Sequence, residues 1–171
     1  MKTLFFFNPL IVLLLVNYDC SQPGEPIRDM SKSLYFSSFE LDSDTAGWTG
    51  YSGRTFDADA PSGGGVRSLR IEGGCIIPHA VRTVIVPRKG HLLSLELWGK
   101  KIAGGGGVSL RRADRYGPAI QVSVQETVWT KHRSAVELPC EPGDQLVLEL
   151  ASGGIVYGAM RVDLIELRLE E

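Results

Sequence analysis

Trp98, with Glu96 two residues before it, and Arg111, Gln121, Ser109 and Ser123 further on, are the side chains here whose chemistry is easiest to put to use. An indole stacks on the apolar face of a sugar ring, while planar carboxylate, guanidinium and amide groups hydrogen-bond the hydroxyls around it. Other chemistries fit less well. His79, His91 and His132 lie far apart and lack the spacing of zinc ligands. The glycine runs at 63–65 and 104–107 are not followed by Lys-Ser/Thr and a helix, as a phosphate-binding loop requires. Gly50-Tyr51-Ser52-Gly53 lacks the Gly-x-Ser-x-Gly frame of a nucleophile elbow. A glycosidase needs two carboxylates about 5–10 Å apart, and none of the 20 acids is singled out by its setting. These residues point to binding without catalysis.

What positions them is an alternating pattern. Leu93, Leu95 and Leu97 recur every second residue, which turns Ser94, Glu96 and Trp98 to the opposite side of a strand. Val108 and Leu110 leave Ser109 and Arg111 facing out, and Ile120, Val122 and Val124 do the same for Gln121 and Ser123. Leu146, Leu148 and Leu150 repeat the pattern. Three consecutive strands are thus expected to share one apolar face and one polar face, the latter carrying Trp98, Glu96, Arg111 and Gln121 together. The competing arrangement covers Trp98 with a loop and pairs Glu96 with Arg111 across strands.

The chain has 171 residues, 43% hydrophobic, with 20 glycines and a formal charge of −2. That suits one core-bearing domain and argues against a basic nucleic-acid binder. Strands are expected at 33–40, 67–72, 80–86, 92–100, 107–112, 119–124, 130–138, 145–151 and 161–169, separated by glycine-rich turns, with no convincing amphipathic helix. This rhythm predicts an all-β antiparallel sandwich or barrel.

Before it stands a different segment. Residues 4–16 are an apolar run behind Lys2, too short for a membrane span and typical of a signal-peptide core. Cys20 follows closely and resembles the lipidated cysteine of bacterial lipoproteins, although Tyr18 and Asp19 replace the small residues of that motif. The expected division is a signal peptide over 1–20, a tether over 21–32 and a sandwich over 33–171, exported to the cell envelope; lipid on Cys20 would hold it on a membrane, the alternatives being an uncleaved anchor or a plain cleaved signal. In that oxidising setting two arrangements are open for Cys75 and Cys140, one disulfide or two separately buried thiols.

The order of motifs resembles carbohydrate-binding modules of the jelly-roll, galactose-binding-domain-like type. Phe39-Glu40 and Gly47-Trp48 open the series, followed by Ser68-Leu69-Arg70-Ile71, Leu93-Ser94-Leu95-Glu96-Leu97-Trp98, Trp129-Thr130-Lys131 and Asp163-Leu164-Ile165-Glu166-Leu167. The resemblance implies a jelly-roll β-sandwich and a glycan or polysaccharide ligand. It implies a structural Ca²⁺ between Glu40 and Asp163, with Asp42 or Asp44 as a further carboxylate. It also implies loop-tip binding residues, for which Tyr51, Tyr116 and Tyr157 are candidates, and structural, core-like roles for Trp48 and Trp129. The second reading is an envelope adaptor lipoprotein that makes protein–protein contacts through the sandwich.

Overall fold

The computed structural model describes residues 31–50, 54–73, 79–153 and 158–171. Cys20, Cys75, Tyr51 and Tyr157 lie outside the described residues, and so does any pairing of Cys75 with Cys140.

Among the described residues eleven strands, β1 (Ser33–Ser37), β2 (Trp48–Thr49), β3 (Arg54–Asp57), β4 (Ser68–Glu72), β5 (His79–Ile85), β6 (Gly90–Ala103), β7 (Gly106–Arg112), β8 (Ile120–Val124), β9 (Thr130–Cys140), β10 (Gln145–Ser152) and β11 (Ala159–Glu170), form two antiparallel sheets. The first sheet runs β3-β4-β11-β6-β9, with β1 also on β11; the second runs β2-β5-β10-β7-β8. Among the described residues the one helical element is a short 3₁₀ turn, Asp42–Thr45. The nine expected strands are all present, and β2 and β3 join them. These two were too short to show a period of their own.

The apolar alternation faces the inter-sheet space. Leu93, Leu95, Leu97, Ile165 and Leu167 of the first sheet are fully buried, as are Val108, Leu110, Leu146, Leu148 and Leu150 of the second. Each such leucine contributes about 1.5–3 kcal/mol by leaving water. Trp48 is in this core at 5% exposure, its indole N–H donating to the Tyr35 hydroxyl at 2.8 Å. Cys140 is a buried thiol at the end of β9, and burial raises its pKa.

One crossing decides the functional geometry. Between Ala103 and Gly106 the chain leaves the first sheet and enters the second, turning on Gly104 and Gly105, both with positive φ. β6 therefore lies in one sheet, and β7 and β8 in the other. Alternation separates inside from outside for each strand, but each sheet of a sandwich has its own outside.

Candidate functional site

The residues expected on one polar face fall into three places. Trp98 and Glu96 are on the outer face of the first sheet, Arg111 and Gln121 on the outer face of the second, with the core between them. Tyr116 is on the β7–β8 loop, fully exposed, at the end of the hairpin away from Gly106 and Ser123. The single surface expected from the sequence does not form, because an in/out period carries no information on sheet membership. Glu96 pairs with Lys131 of the neighbouring strand at 2.7 Å, not with Arg111.

The outer face of the first sheet is a lattice of ion pairs. Asp57 Oδ2 accepts from Arg161 Nε at 2.8 Å and Nη2 at 2.5 Å, and from Arg70 Nη1 at 3.5 Å. Asp59, on the loop after β3, accepts from Arg161 Nη1 at 2.7 Å and Lys100 Nζ at 2.8 Å, and its other oxygen takes the Trp129 indole N–H at 2.8 Å. That loop straps over β11 and β6 to the start of β9. Trp129, expected in the core, is instead half-buried on this strapped face, because its indole N–H needs a partner and Asp59 supplies one. Trp98 is likewise half-buried there. Hydrogen bonds from Arg161 above all hold the Asp57 carboxyl below the ordinary carboxylate range. Burial works to raise Asp59, but Lys100, Trp129 and Arg161 together bring it down.

The second sheet's outer face is different. Ser109 lies opposite both Gln121 and Glu149, and Gly107 opposite both Ser123 and Ala151, so β8, β7 and β10 present matched rows. Arg111 stands one row along, opposite Val147, which is opposite Thr83. At the Gly106 end these strands form an open groove of about 290 Å³, its lining including Gly107, Ser109, Gln121, Ser123 and Ala151. Among the described residues no ion pair crosses this face; those of Arg112 lie at its end, with Asp114 and Asp144. Glu149 was missed in the sequence, although its place between Leu148 and Leu150 marks it as outward-facing.

A second arrangement brings together the two implied calcium ligands. A Cβ on Gly64 would come within 2.5 Å of Asp163 Oδ2, and one on Gly65 would meet the Glu40 carboxylate. The two carboxyl groups therefore flank a single dipeptide. Asp163 is fully buried; its Oδ1 accepts from the Leu164 N–H at 2.7 Å. Glu40 Oε1 accepts from the N–H groups of Val66 and Arg67 at 3.0 and 2.9 Å. Among the described residues the non-glycine residues with positive φ are Phe39 (56°) and Leu164 (49°), one beside each carboxylate. Such backbone costs about 1–3 kcal/mol and gathers at functional sites. A shallow opening bordered by Ser38, Glu40, Gly63, Gly64, Gly65 and Leu164 leads to this point. Asp42 binds Arg67 at 2.8 Å and Asp44 caps the Leu41 N–H at 3.2 Å, so both are engaged elsewhere.

By sequence, no known protein family and no curated protein matches the chain. Solved structures do match by shape. The CBM22-1 xylan-binding domain from Paenibacillus barcinonensis Xyn10C superposes with a TM-score of 0.59 at 23% identity, covering 81% of this chain and 95% of that one. The C-terminal family 22 carbohydrate-binding module of Clostridium thermocellum Xyn10B gives 0.59 at 16% identity, over 83% and 97%. A family 16 carbohydrate-binding module gives 0.55 at 18%, over 72% and 91%. The chain has the antiparallel jelly-roll β-sandwich fold of these carbohydrate-binding modules.

Proposed function

We propose that this protein is a non-catalytic glycan-binding module whose ligand lies in the groove on the outer face of the second sheet. The observation that carries this reading is the contrast between the two outer faces. On the first sheet the charged groups are committed to one another; on the second, Ser109, Gln121 and Ser123 are neutral, and Glu149 and Arg111 have no ion-pair partner among the described residues. Neutral hydroxyl and amide groups over a floor of glycine and alanine suit a polyol, because a sugar hydroxyl both donates and accepts. The structural neighbours named as carbohydrate-binding modules support the same class of ligand.

Ca²⁺ is part of the proposal, held by Glu40 and Asp163. A hard cation takes carboxylate and carbonyl oxygens, and here two carboxylates lie close against adjacent glycines whose lack of a side chain lets them come that near. The ion would tie the segment after β1 to β11, one of the central strands of the first sheet. The chain's own residues already prepare the point: the backbone turns at Phe39 and Leu164 aim both carboxyls at the Gly64-Gly65 loop. Export to the cell envelope and a lipid tether on Cys20 complete the reading and would place the groove next to surface polysaccharide.

The test is a glycan and polysaccharide array probed with the purified full chain, with calcium and again with a chelator. Binding that Gln121→Ala and Glu149→Ala both weaken supports the groove. Binding that only Trp98→Ala abolishes moves the site to the first sheet. An absence of glycan binding sinks the reading and leaves the envelope-adaptor alternative.

A further inference from the structure

Among the described residues β9 is the outermost strand of the first sheet and pairs along one side only, with β6. It is long for an edge, Thr130–Cys140. An unpaired edge of that length is a template for another strand, and proteins usually blunt it with a covering loop, a bulge or a run of like charge. Cover is seen at one end of β9, where Arg112 donates to the Pro139 carbonyl at 3.0 Å. The exposed side chains along the rest are Lys131, Arg133, Ala135 and Glu137. Their charge changes sign about the middle of the strand, and the middle residue is Ala135.

From this pattern we infer that two copies of the chain associate edge to edge through β9, antiparallel about a two-fold axis at Ala135. That axis gives the longest overlap of the two strands. It also sets Arg133 of each copy opposite Glu137 of the other, with the small side chain of Ala135 facing itself. Directly opposed side chains in such a pair are about 4.5–5.5 Å apart at Cβ, close enough for each Arg–Glu pair to act. Moving the axis two residues either way brings Arg133 against Arg133 or Glu137 against Glu137. In-register parallel pairing stacks like charge on like charge at every position. An axis at Ser134 would set Lys131 opposite Glu137, but it shortens the overlap, and Lys131 is already paired with Glu96 within the chain. The register about Ala135 therefore combines the longest overlap with opposite charges, as the isologous contact of a two-fold dimer requires. The result is one continuous sheet across both copies, and the second sheet's groove stays open on each.

Sedimentation equilibrium of the purified full chain, held in a mild detergent on account of its apolar residues 4–16, tests this. The expected result is a monomer–dimer equilibrium that Arg133→Glu and Glu137→Arg each weaken roughly tenfold, since each creates two like-charge contacts per dimer. The double variant R133E/E137R restores the dimer. Ala135→Arg, which sets two cations face to face at the axis, abolishes it while leaving the monomer's melting temperature unchanged. Should a charge swap lower that melting temperature, Ala135→Arg gives the reading. A chain that stays monomeric overturns the inference. So does a dimer that the single swaps do not move, or one that the double swap fails to restore.

Discussion

Asp163 and Glu40 each set their carboxylate against one of two consecutive glycines, Gly64 and Gly65, and each has a left-handed non-glycine residue as its immediate chain neighbour. Carboxylate oxygens of this kind suit a hard cation, and the proposed calcium would sit against both. Thermal unfolding followed with added Ca²⁺ should shift upward by several degrees, since a hundredfold excess over Kd stabilises by about 2.7 kcal/mol. Asp163→Asn should remove that response. A melting temperature indifferent to Ca²⁺ in the natural sequence would rule the site out.

Gly65 carries two separate demands. Its φ of +90° is one that side-chain-bearing residues rarely adopt, and a Cβ there would run into the Glu40 carboxylate. Gly65→Ala should therefore destabilise by about 1–3 kcal/mol and weaken the calcium response together. Gly143, also at positive φ but with open space around it, separates the two effects. Its alanine variant should show the backbone cost alone, about 1 kcal/mol, with the calcium response intact. Chemical denaturation of both variants with and without Ca²⁺ makes the comparison.

The acid limb of stability should report the strap on the first sheet. Asp57 and Asp59 are both held below their ordinary value of 3.8, so their contribution is present above that pH. It is lost as pH falls through the lower folded values. Stability measured by denaturant titration should hold between neutrality and about pH 4, then drop below it. Arg161→Met takes away the main cation of Asp57 and one of the two cations on Asp59, which keeps Lys100; it should cost about 1–3 kcal/mol at pH 7 and flatten this drop in part. An acid limb that Arg161→Met leaves unchanged would assign the loss to other carboxylates.

Which parts of this were legible beforehand follows from the range of the signals. Leu93, Leu95 and Leu97, or Leu146, Leu148 and Leu150, declare a strand and its buried side within five residues, so the all-β fold could be read. The same alternation could not say that Trp98 and Arg111 have the core between them, because sheet membership is fixed by pairing partners far along the chain. β6 pairs with β11 and β9, and β7 with β10 and β8. Trp129 was misplaced for a related reason. Its partner, Asp59, is separated from it by 70 residues, and the Arg161–Asp57 pair spans 104. No local pattern encodes such contacts. Glu40 and Asp163 came from an ordered set of motifs, whereas the Gly64-Gly65 loop, legible only as a turn, gave no sign that it would lie against both carboxylates.

The groove makes the sharpest demand on the functional reading. Gln121, exposed, and Ser109 line it, and Glu149, half-buried, stands beside it in the same row across three strands. A glycan seated there loses a hydrogen bond worth about 1–1.5 kcal/mol for each of these side chains removed, or roughly five- to tenfold in affinity. Gln121→Ala and Glu149→Ala should each lower affinity by that factor, and the two effects should add if the groups bind different hydroxyls. Trp98→Ala acts on the opposite face, so it should lower stability but leave affinity unchanged. Isothermal titration of each variant against an array-identified oligosaccharide separates these outcomes, with thermal melting alongside to exclude unfolding. Should Trp98→Ala weaken binding while the groove variants do not, the ligand lies on the strapped face. The ion pairs around Asp59 would then have to open to admit it, and Asp59→Asn would be expected to strengthen binding.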